Sequence, residues 1–138
     1  GSDRDWKMVA MSEHHAKQAG VAANVQFHKR DFEDIEIEQE YGCIVTNPPY
    51  GERLGEMAEV EELYREMGRR LSGMETWSIY VFTAHKYFER LFGRPADRRR
   101  KLYNGTIECH YYQYYGKRPP KSDENEGATS HGTSSSEA

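Results

Sequence analysis

The sequence feature that most constrains the fold is the segment Asn47-Pro48-Pro49-Tyr50-Gly51, which follows a short apolar run. The run from Cys43 to Thr46 is rich in β-branched residues and predicts a buried strand. Two consecutive prolines end that strand, because proline has no amide hydrogen to donate to a sheet or a helix. The segment therefore predicts a stiff loop at the carboxyl end of a strand, where open α/β sheets place their ligand sites.

The groups in this loop suit the recognition of a planar amino group. Asn47 offers a side-chain carbonyl oxygen and Pro48 a backbone carbonyl, and two acceptors about 3 Å from one nitrogen can take both of its hydrogens. Such acceptors favour a tetrahedral nitrogen whose lone pair is free to attack an electrophile. Pro49 stiffens the loop, and Tyr50 offers a flat face on which an aromatic base can stack, worth roughly 1–3 kcal/mol. An isolated Asn-Pro-Pro is usually only a turn, but the strand before it and the β-α-β pattern around it favour a site.

This segment resembles the amino-methyltransferase signature of S-adenosylmethionine (SAM) enzymes. Its extension to Glu56 is similar to the SAM-dependent 23S rRNA guanine-N2 methyltransferase family, as is the stretch from Arg100 to Gly105 with the tyrosine-rich strand after it. The resemblance covers about Gly1 to Pro120. It implies methyl transfer from S-adenosyl-L-methionine to the exocyclic N2 of a guanine in 23S ribosomal RNA. The catalytic residues that it implies are Asn47, Pro48, Pro49 and Tyr50.

The resemblance also implies cofactor-binding residues and a larger protein. Asp3 would accept the ribose hydroxyls of SAM, Asp31 would meet the adenine amino group, Phe32 would lie beside the base, and Asn47 would border the cofactor. Two alternatives stay open: Asp3 or Asp5 caps the following helix, and Asp31 is a turn residue. The family's first strand and glycine-rich SAM loop are missing from the sequence, so we expect a partial domain. Longer family members carry an RNA-binding THUMP domain upstream, which we expect in the full-length protein.

Alternating helices and strands predict an α/β fold. Helices are expected over residues 6–19, 57–71 and 84–92, and strands over 25–27, 43–46, 77–83 and 106–115. Asn104-Gly105 is a strong hairpin signal, because both residues tolerate a positive φ. The resemblance implies a Rossmann-like SAM-methyltransferase sheet, mostly parallel, truncated at its amino end and closed by a C-terminal antiparallel hairpin. We expect residues 1–118 to form the C-terminal part of this domain and residues 119–138, rich in Ser, Gly and Glu, to be a disordered tail.

Basic residues suggest a contact with RNA phosphates. Arg98, Arg99, Arg100 and Lys101 form a positive cluster before the hairpin, and phosphate contacts are the usual role of such residues in RNA-binding proteins. The equally plausible alternative is a solvated sheet edge that discourages strand pairing. Arg53 either holds a phosphate near the loop or pairs with Glu52 or Glu56.

Charge and cysteine content limit the protein class. The net charge is −4, and most of it lies beyond residue 120, so local patches decide any nucleic-acid contact. Cys43 and Cys109 both lie in strand-like runs and suggest buried free thiols in a reducing cytoplasm. No Cys-x-x-Cys pairing supports a metal site, and no apolar run reaches the length of a membrane span. The oligomeric state is not determined by the sequence.

Two other functions remain compatible with the motifs. An adenine-N6 DNA methyltransferase shares the Asn-Pro-Pro-Tyr core, but the chain has no insert large enough to read DNA bases. A non-catalytic RNA-binding remnant would use the arginine cluster and the tyrosines instead. SAM binding distinguishes the enzyme from the remnant.

Overall fold

The computed structural model describes residues 1–53 and 55–121 and has an α/β architecture. In chain order its elements are β1 (Ser2–Asp3), α1 (Trp6–Gln18), β2 (His28–Lys29), a 3-10 turn (Phe32–Asp34), β3 (Gly42–Thr46), α2 (Met57–Leu71), β4 (Trp77–Thr83), α3 (Phe88–Phe92), β5 (Arg98–Asn104) and β6 (Ile107–Tyr114). β1 and β2 form a parallel pair, and the other strands form a sheet of order β3-β4-β6-β5. β3 and β4 are parallel, and β6 runs antiparallel to both of its neighbours. The predicted α/β sheet with a C-terminal antiparallel hairpin is confirmed.

The amphipathic helix α2 supplies most of one face of the core. Val60, Tyr64, Met67 and Leu71 recur at three- and four-residue steps and are buried, as the periodicity predicts. Gly68 lies so close to the backbone carbonyl of Phe92 that a Cβ there would overlap it. This glycine therefore allows α2 and α3 to pack closely together.

The core lies between α2, α3 and one face of β4 and β6. Its sheet residues are Ile79, Val81, Tyr112 and Tyr114, and α3 adds Phe88 and Phe92. The aromatic rings pack in a continuous series, with centroids 4.8 Å apart for Phe88 and Tyr112 and 4.6 Å apart for Phe92 and Tyr114. Aromatic pairs at such distances add to the stabilisation from burial alone.

The prediction of a buried strand at residues 43–46 is wrong. β3 alternates between half-buried and exposed residues, and Val45 keeps 71% of its surface exposed. Within the described residues β3 pairs only with β4, so it is an edge strand whose alternate side chains point away from α2. For the same reason Cys43 is an exposed thiol, whereas Cys109 is buried as predicted.

Two local expectations shift in register. The strand expected at residues 25–27 lies instead at His28–Lys29, because it pairs only where the two-residue strand β1 is opposite. The hairpin loop is Gly105-Thr106 and not Asn104-Gly105, since Asn104 still pairs with Ile107 as the last residue of β5. Gly105 has φ 62°, as the tight turn requires.

The remaining sequence expectations concern the ends and surfaces of the chain. The basic cluster lies within β5 itself, where all seven residues are exposed. Most of the predicted disordered tail, residues 122–138, lies outside the described residues. No helix within residues 1–53 and 55–121 is long and apolar enough to cross a membrane.

Candidate active site

The loop after β3 has a buried residue between two solvent-exposed neighbours. Pro48 is buried, whereas Asn47 and Pro49 are exposed and Tyr50 is half-buried. Gly51 adopts φ 78° and reverses the chain against Met57 at the start of α2. The prolines and this glycine together give the stiff corner that the sequence predicts at the carboxyl end of β3.

A buried tyrosine on α2 holds this corner in place. The Tyr64 hydroxyl donates a hydrogen bond of 2.6 Å to the backbone carbonyl of Pro49. The same hydroxyl lies 2.8 Å from the Thr83 Oγ1 at the end of β4. Because Tyr64 has one proton and gives it to Pro49, Thr83 must donate to Tyr64. The Thr83 oxygen in turn accepts the His85 amide at 3.1 Å, so each hydrogen bond of this network has a donor.

Burial keeps this tyrosine protonated. The Tyr64 side chain is fully buried, and burial raises the pKa of its phenol to about 12. At neutral pH the hydroxyl therefore remains a donor to Pro49. The network ties the loop to both α2 and β4, the two elements that flank it in the core.

Three polar side chains meet on the open side of the loop. The Tyr50 hydroxyl donates to the Asn47 Oδ1 at 2.7 Å, and the Asn104 Nδ2 donates to the Tyr50 hydroxyl at 3.4 Å. Burial raises the pKa of Tyr50 above its ordinary value, so this hydroxyl also stays protonated. The Asn47 carbonyl oxygen has two lone pairs. One of them remains for a ligand even while the Tyr50 bond is present.

A cavity of about 890 Å³ opens beside this cluster. It brings together Asn47, Pro48, Pro49, Tyr50 and Arg53 from the loop with Asp31 and Phe32 from the turn after β2. A volume of this size suits a small-molecule site. The cavity is thus lined by residues that lie far apart in the chain. The sequence predicted some of them as cofactor-binding groups and others as catalytic groups.

The turn after β2 has the groups expected at an adenine site. The Asp31 carboxylate is exposed and does not cap the turn, so its oxygens are open to a donor such as an exocyclic amine. Phe32 is half-buried and packs against the core, which presents an apolar surface next to that carboxylate. Contact between these two residues and a cofactor stays a prediction.

The two aspartates at the amino end have different positions. The Asp5 carboxylate accepts the Lys7 amide at 2.9 Å and caps α1. Asp3 Oδ1 accepts the Asp5 amide at 2.8 Å, which leaves its second oxygen for a ligand. Asp3 is the last residue of β1, which pairs in parallel with β2, but it does not line the cavity, so its role as ribose ligand stays a prediction.

Of the basic residues predicted to contact RNA, only Arg53 lines the cavity. Arg53 pairs with Glu56 at 3.8 Å, with most of its side chain exposed. On β5, Arg99 pairs with Glu89 and Lys101 with Glu108. Arg98 and Arg100 are exposed on the same strand. Contact between these residues and phosphate stays a prediction.

Two site residues had no distinct signal in the sequence. Tyr64 falls on the buried stripe of α2, so its spacing identifies a core residue but gives no hint of the bond to Pro49. Asn104 belongs to a turn motif, so its contact with Tyr50, 54 residues away in sequence, depends on the sheet. No group of three potential metal ligands occurs among the residues that the structure describes.

Comparison with known proteins identifies related chains. The family model for the RMKL-like methyltransferase domain matches residues 1–113. The chain is 43% identical to YpsC of Bacillus subtilis, provisionally named an RNA methyltransferase, over 92% of this chain and 33% of YpsC. It is 34% identical to the ribosomal RNA large subunit methyltransferase K/L of Syntrophotalea carbinolica, over 93% of this chain and 20% of that protein.

A solved structure shares the fold. SMU.472, provisionally described as a methyltransferase and solved in complex with SAH, superposes with a TM-score of 0.80 at 38% identity. The match covers 87% of this chain and 32% of SMU.472. The chain thus spans a third or less of the length of these relatives.

Proposed function

The chain belongs to the RMKL-like methyltransferase domain family, and we propose that its protein methylates the exocyclic N2 of a guanine in 23S ribosomal RNA. The name of the ribosomal RNA relative supports an RNA substrate. The amino-group acceptors of the loop support an exocyclic amine as the target. We place the reaction in the cytoplasm and expect an upstream THUMP domain to assist RNA binding.

One observation carries the proposal: the Asn47 carbonyl oxygen and the Tyr50 ring stand together at the wall of the 890 Å³ cavity. An acceptor beside an aromatic face is the arrangement that a splayed nucleobase with an amino group requires. The loop that presents them is held from behind by the bond between Tyr64 and Pro49. The site is therefore preorganised, which lowers the cost of binding the base.

Each residue of the loop has a separate role. Asn47 Oδ1 and the Pro48 carbonyl accept the two hydrogens of the amine and direct its lone pair towards the cofactor. The Tyr50 ring stacks on the base. When the amine binds, the hydrogen bond from the Tyr50 hydroxyl to the Asn47 Oδ1 either breaks or remains beside the new bond from the amine. No general base is needed before the nitrogen attacks, since positioning and fixed dipoles supply most of the effect. As the new N–C bond forms, the S–C bond of the cofactor's sulfonium would break to leave a thioether, and the methylated nitrogen would release one proton to water.

The cofactor would lie along the wall between Asp31 and Asn47. Asp31 would accept the adenine amino group, Phe32 would cover the base, and Asp3 would accept the ribose hydroxyls. When bound, S-adenosyl-L-methionine supplies an electrophilic methyl group on a sulfonium for in-line displacement. SAH in the SMU.472 structure supports this cofactor.

The test is replacement of Asn47 by Ala in the complete protein. Loss of one preorganised polar contact in a transition state typically costs about 10²–10³ in rate, so methyl transfer from labelled SAM to ribosomal RNA should slow by about that factor. SAM binding measured by calorimetry should largely survive, because Asn47 contributes only one edge of that site. Asn24→Ala, in an exposed turn, is the matched control and should behave as wild type.

The alternatives are separate outcomes of the same experiment. Unchanged turnover in Asn47→Ala would refute the proposed chemistry. Methylation of adenine in DNA, and not of guanine in RNA, would favour the adenine-N6 enzyme. RNA binding without SAM binding by the wild-type protein would favour the non-catalytic module.

A further inference from the structure

We propose that Asn104 is a specificity-determining residue that reads the Watson–Crick edge of the target guanine. The inference rests on the proposed function and adds to it the residue that distinguishes guanine from other bases with an amino group. Asn47 and Pro48 recognise only the amine, which guanine, adenine and cytosine all have. A second contact is therefore needed to choose among them.

The register of the hairpin places Asn104 at the site. It is the last paired residue of β5, and the tight turn at Gly105 begins immediately after it. Asn104 lines the same cavity as Asn47 and Tyr50. A side chain at the end of a paired strand is held more firmly than one within a turn, as a reading residue requires.

The amide of Asn104 lies within reach of a base held by the loop. Asn104 and Asn47 share the Tyr50 hydroxyl through bonds of 3.4 Å and 2.7 Å. The Asn104 Nδ2 and the Asn47 Oδ1 are therefore no more than about 6 Å apart, so one edge of a purine can contact both side chains. The bond to Tyr50 uses one hydrogen of the Asn104 amide. Its second hydrogen and its carbonyl oxygen remain for a ligand.

The chemistry of the base edge selects guanine. Next to the amine, guanine presents the N1 hydrogen as a donor and O6 as an acceptor. The Asn104 carbonyl and amide can pair with both at once. Adenine and 2-aminopurine present an N1 acceptor and then only a carbon-bound hydrogen, so they can form one such bond at most.

Nuclear magnetic resonance of the whole chain tests the contact directly. The sequence contains four asparagines and four glutamines, so the side-chain amide region of a ¹⁵N spectrum is simple enough to assign. Guanosine monophosphate should shift the signals of both Asn47 and Asn104. The monophosphate of 2-aminopurine riboside should shift the Asn47 signals to a similar extent, but it should shift those of Asn104 less than guanosine monophosphate does.

Substitutions of Asn104 test the same contact through the relative affinities for the two nucleotides. Asn104→Ala should weaken binding of guanosine monophosphate by roughly tenfold, as expected for one or two neutral hydrogen bonds. Its binding of the 2-aminopurine nucleotide should weaken less, because that base offers at most one hydrogen bond to the Asn104 side chain. Asn104→Asp keeps an acceptor for the N1 hydrogen but loses the donor to O6, so it should bind guanosine monophosphate more weakly than the wild type does. Asn24→Ala is the matched control and should bind both nucleotides as wild type does.

The outcomes separate this inference from the proposed function. If Asn47 responds to guanosine monophosphate but Asn104 does not, or if Asn104→Ala retains the wild-type preference, the reading role is refuted and the proposed function stands. If neither asparagine responds to either nucleotide, the proposed site and this inference are both wrong. Preferential loss of guanine binding in Asn104→Ala supports both.

Discussion

Replacing Tyr64 by Phe should loosen the loop after β3 without disturbing the core around it. The ring would keep its edge contacts with Phe88 and His85, at centroid distances of 5.1 Å and 5.4 Å. Only the hydroxyl would be lost, which would leave the Pro49 carbonyl without its donor and the Thr83 hydroxyl without its acceptor. The unpaired Thr83 hydroxyl is buried and the Pro49 carbonyl only partly so, and leaving a buried polar group unpaired costs about 1–3 kcal/mol. We therefore expect a drop of that size in the free energy of unfolding and of several degrees in Tm.

Urea unfolding followed by circular dichroism measures this loss. Tyr87→Phe is the matched control, because Tyr87 is 64% exposed and a surface change of this kind usually alters stability by less than about 0.5 kcal/mol. Tyr64→Phe should also weaken nucleotide binding at the loop, since small displacements of a preorganised group are costly. If Tyr64→Phe were as stable as Tyr87→Phe, the hydroxyl would not be what fixes Pro49.

Two further predictions follow from burial. In the folded chain burial raises the pKa of Tyr64 to about 12, whereas in the unfolded chain the phenol loses its proton near pH 10. The contribution of Tyr64 to stability is therefore constant below about pH 10. Between about pH 10 and 12 this contribution falls by up to about 1.4 kcal/mol per pH unit. Unfolding midpoints measured across that range should decline less steeply in Tyr64→Phe, and equal slopes would contradict the assignment. For the thiols, a chromogenic disulfide reagent should modify Cys43 quickly and Cys109 only on unfolding, because Cys43 is exposed and Cys109 is buried; two fast equivalents would show that β6 opens readily.

The motif at Asn47 was sufficient to predict the family. The RMKL-like methyltransferase domain matches residues 1–113, and the expected cofactor class agrees with the SAH complex of SMU.472. This success has a local cause, because the motif consists of adjacent residues. The roles assigned to the loop residues, to Asp3, Asp31 and Phe32, and to the basic cluster stay predictions.

The errors have one physical origin. Residues 43–46 were expected to be buried because they are apolar, yet β3 is an edge strand in the described part of the chain and Val45 is exposed. An apolar sequence indicates that a strand favours burial, but it does not indicate which faces of that strand the neighbouring elements cover. The shift of the hairpin loop from Asn104-Gly105 to Gly105-Thr106 is of the same kind, since pairing with β6 decided the register.

The sequence alone determined the parts that depend on near neighbours. Proline geometry set the stiff loop at Pro48 and Pro49, and a period of 3.6 residues set the buried stripe of α2. Only the tertiary structure decided that Tyr64 holds that loop from behind and that Asn104 meets Tyr50 in front of it. These contacts join residues 15 and 54 positions apart. No local pattern encodes them, because they exist only after the helix and the hairpin have packed onto the same sheet.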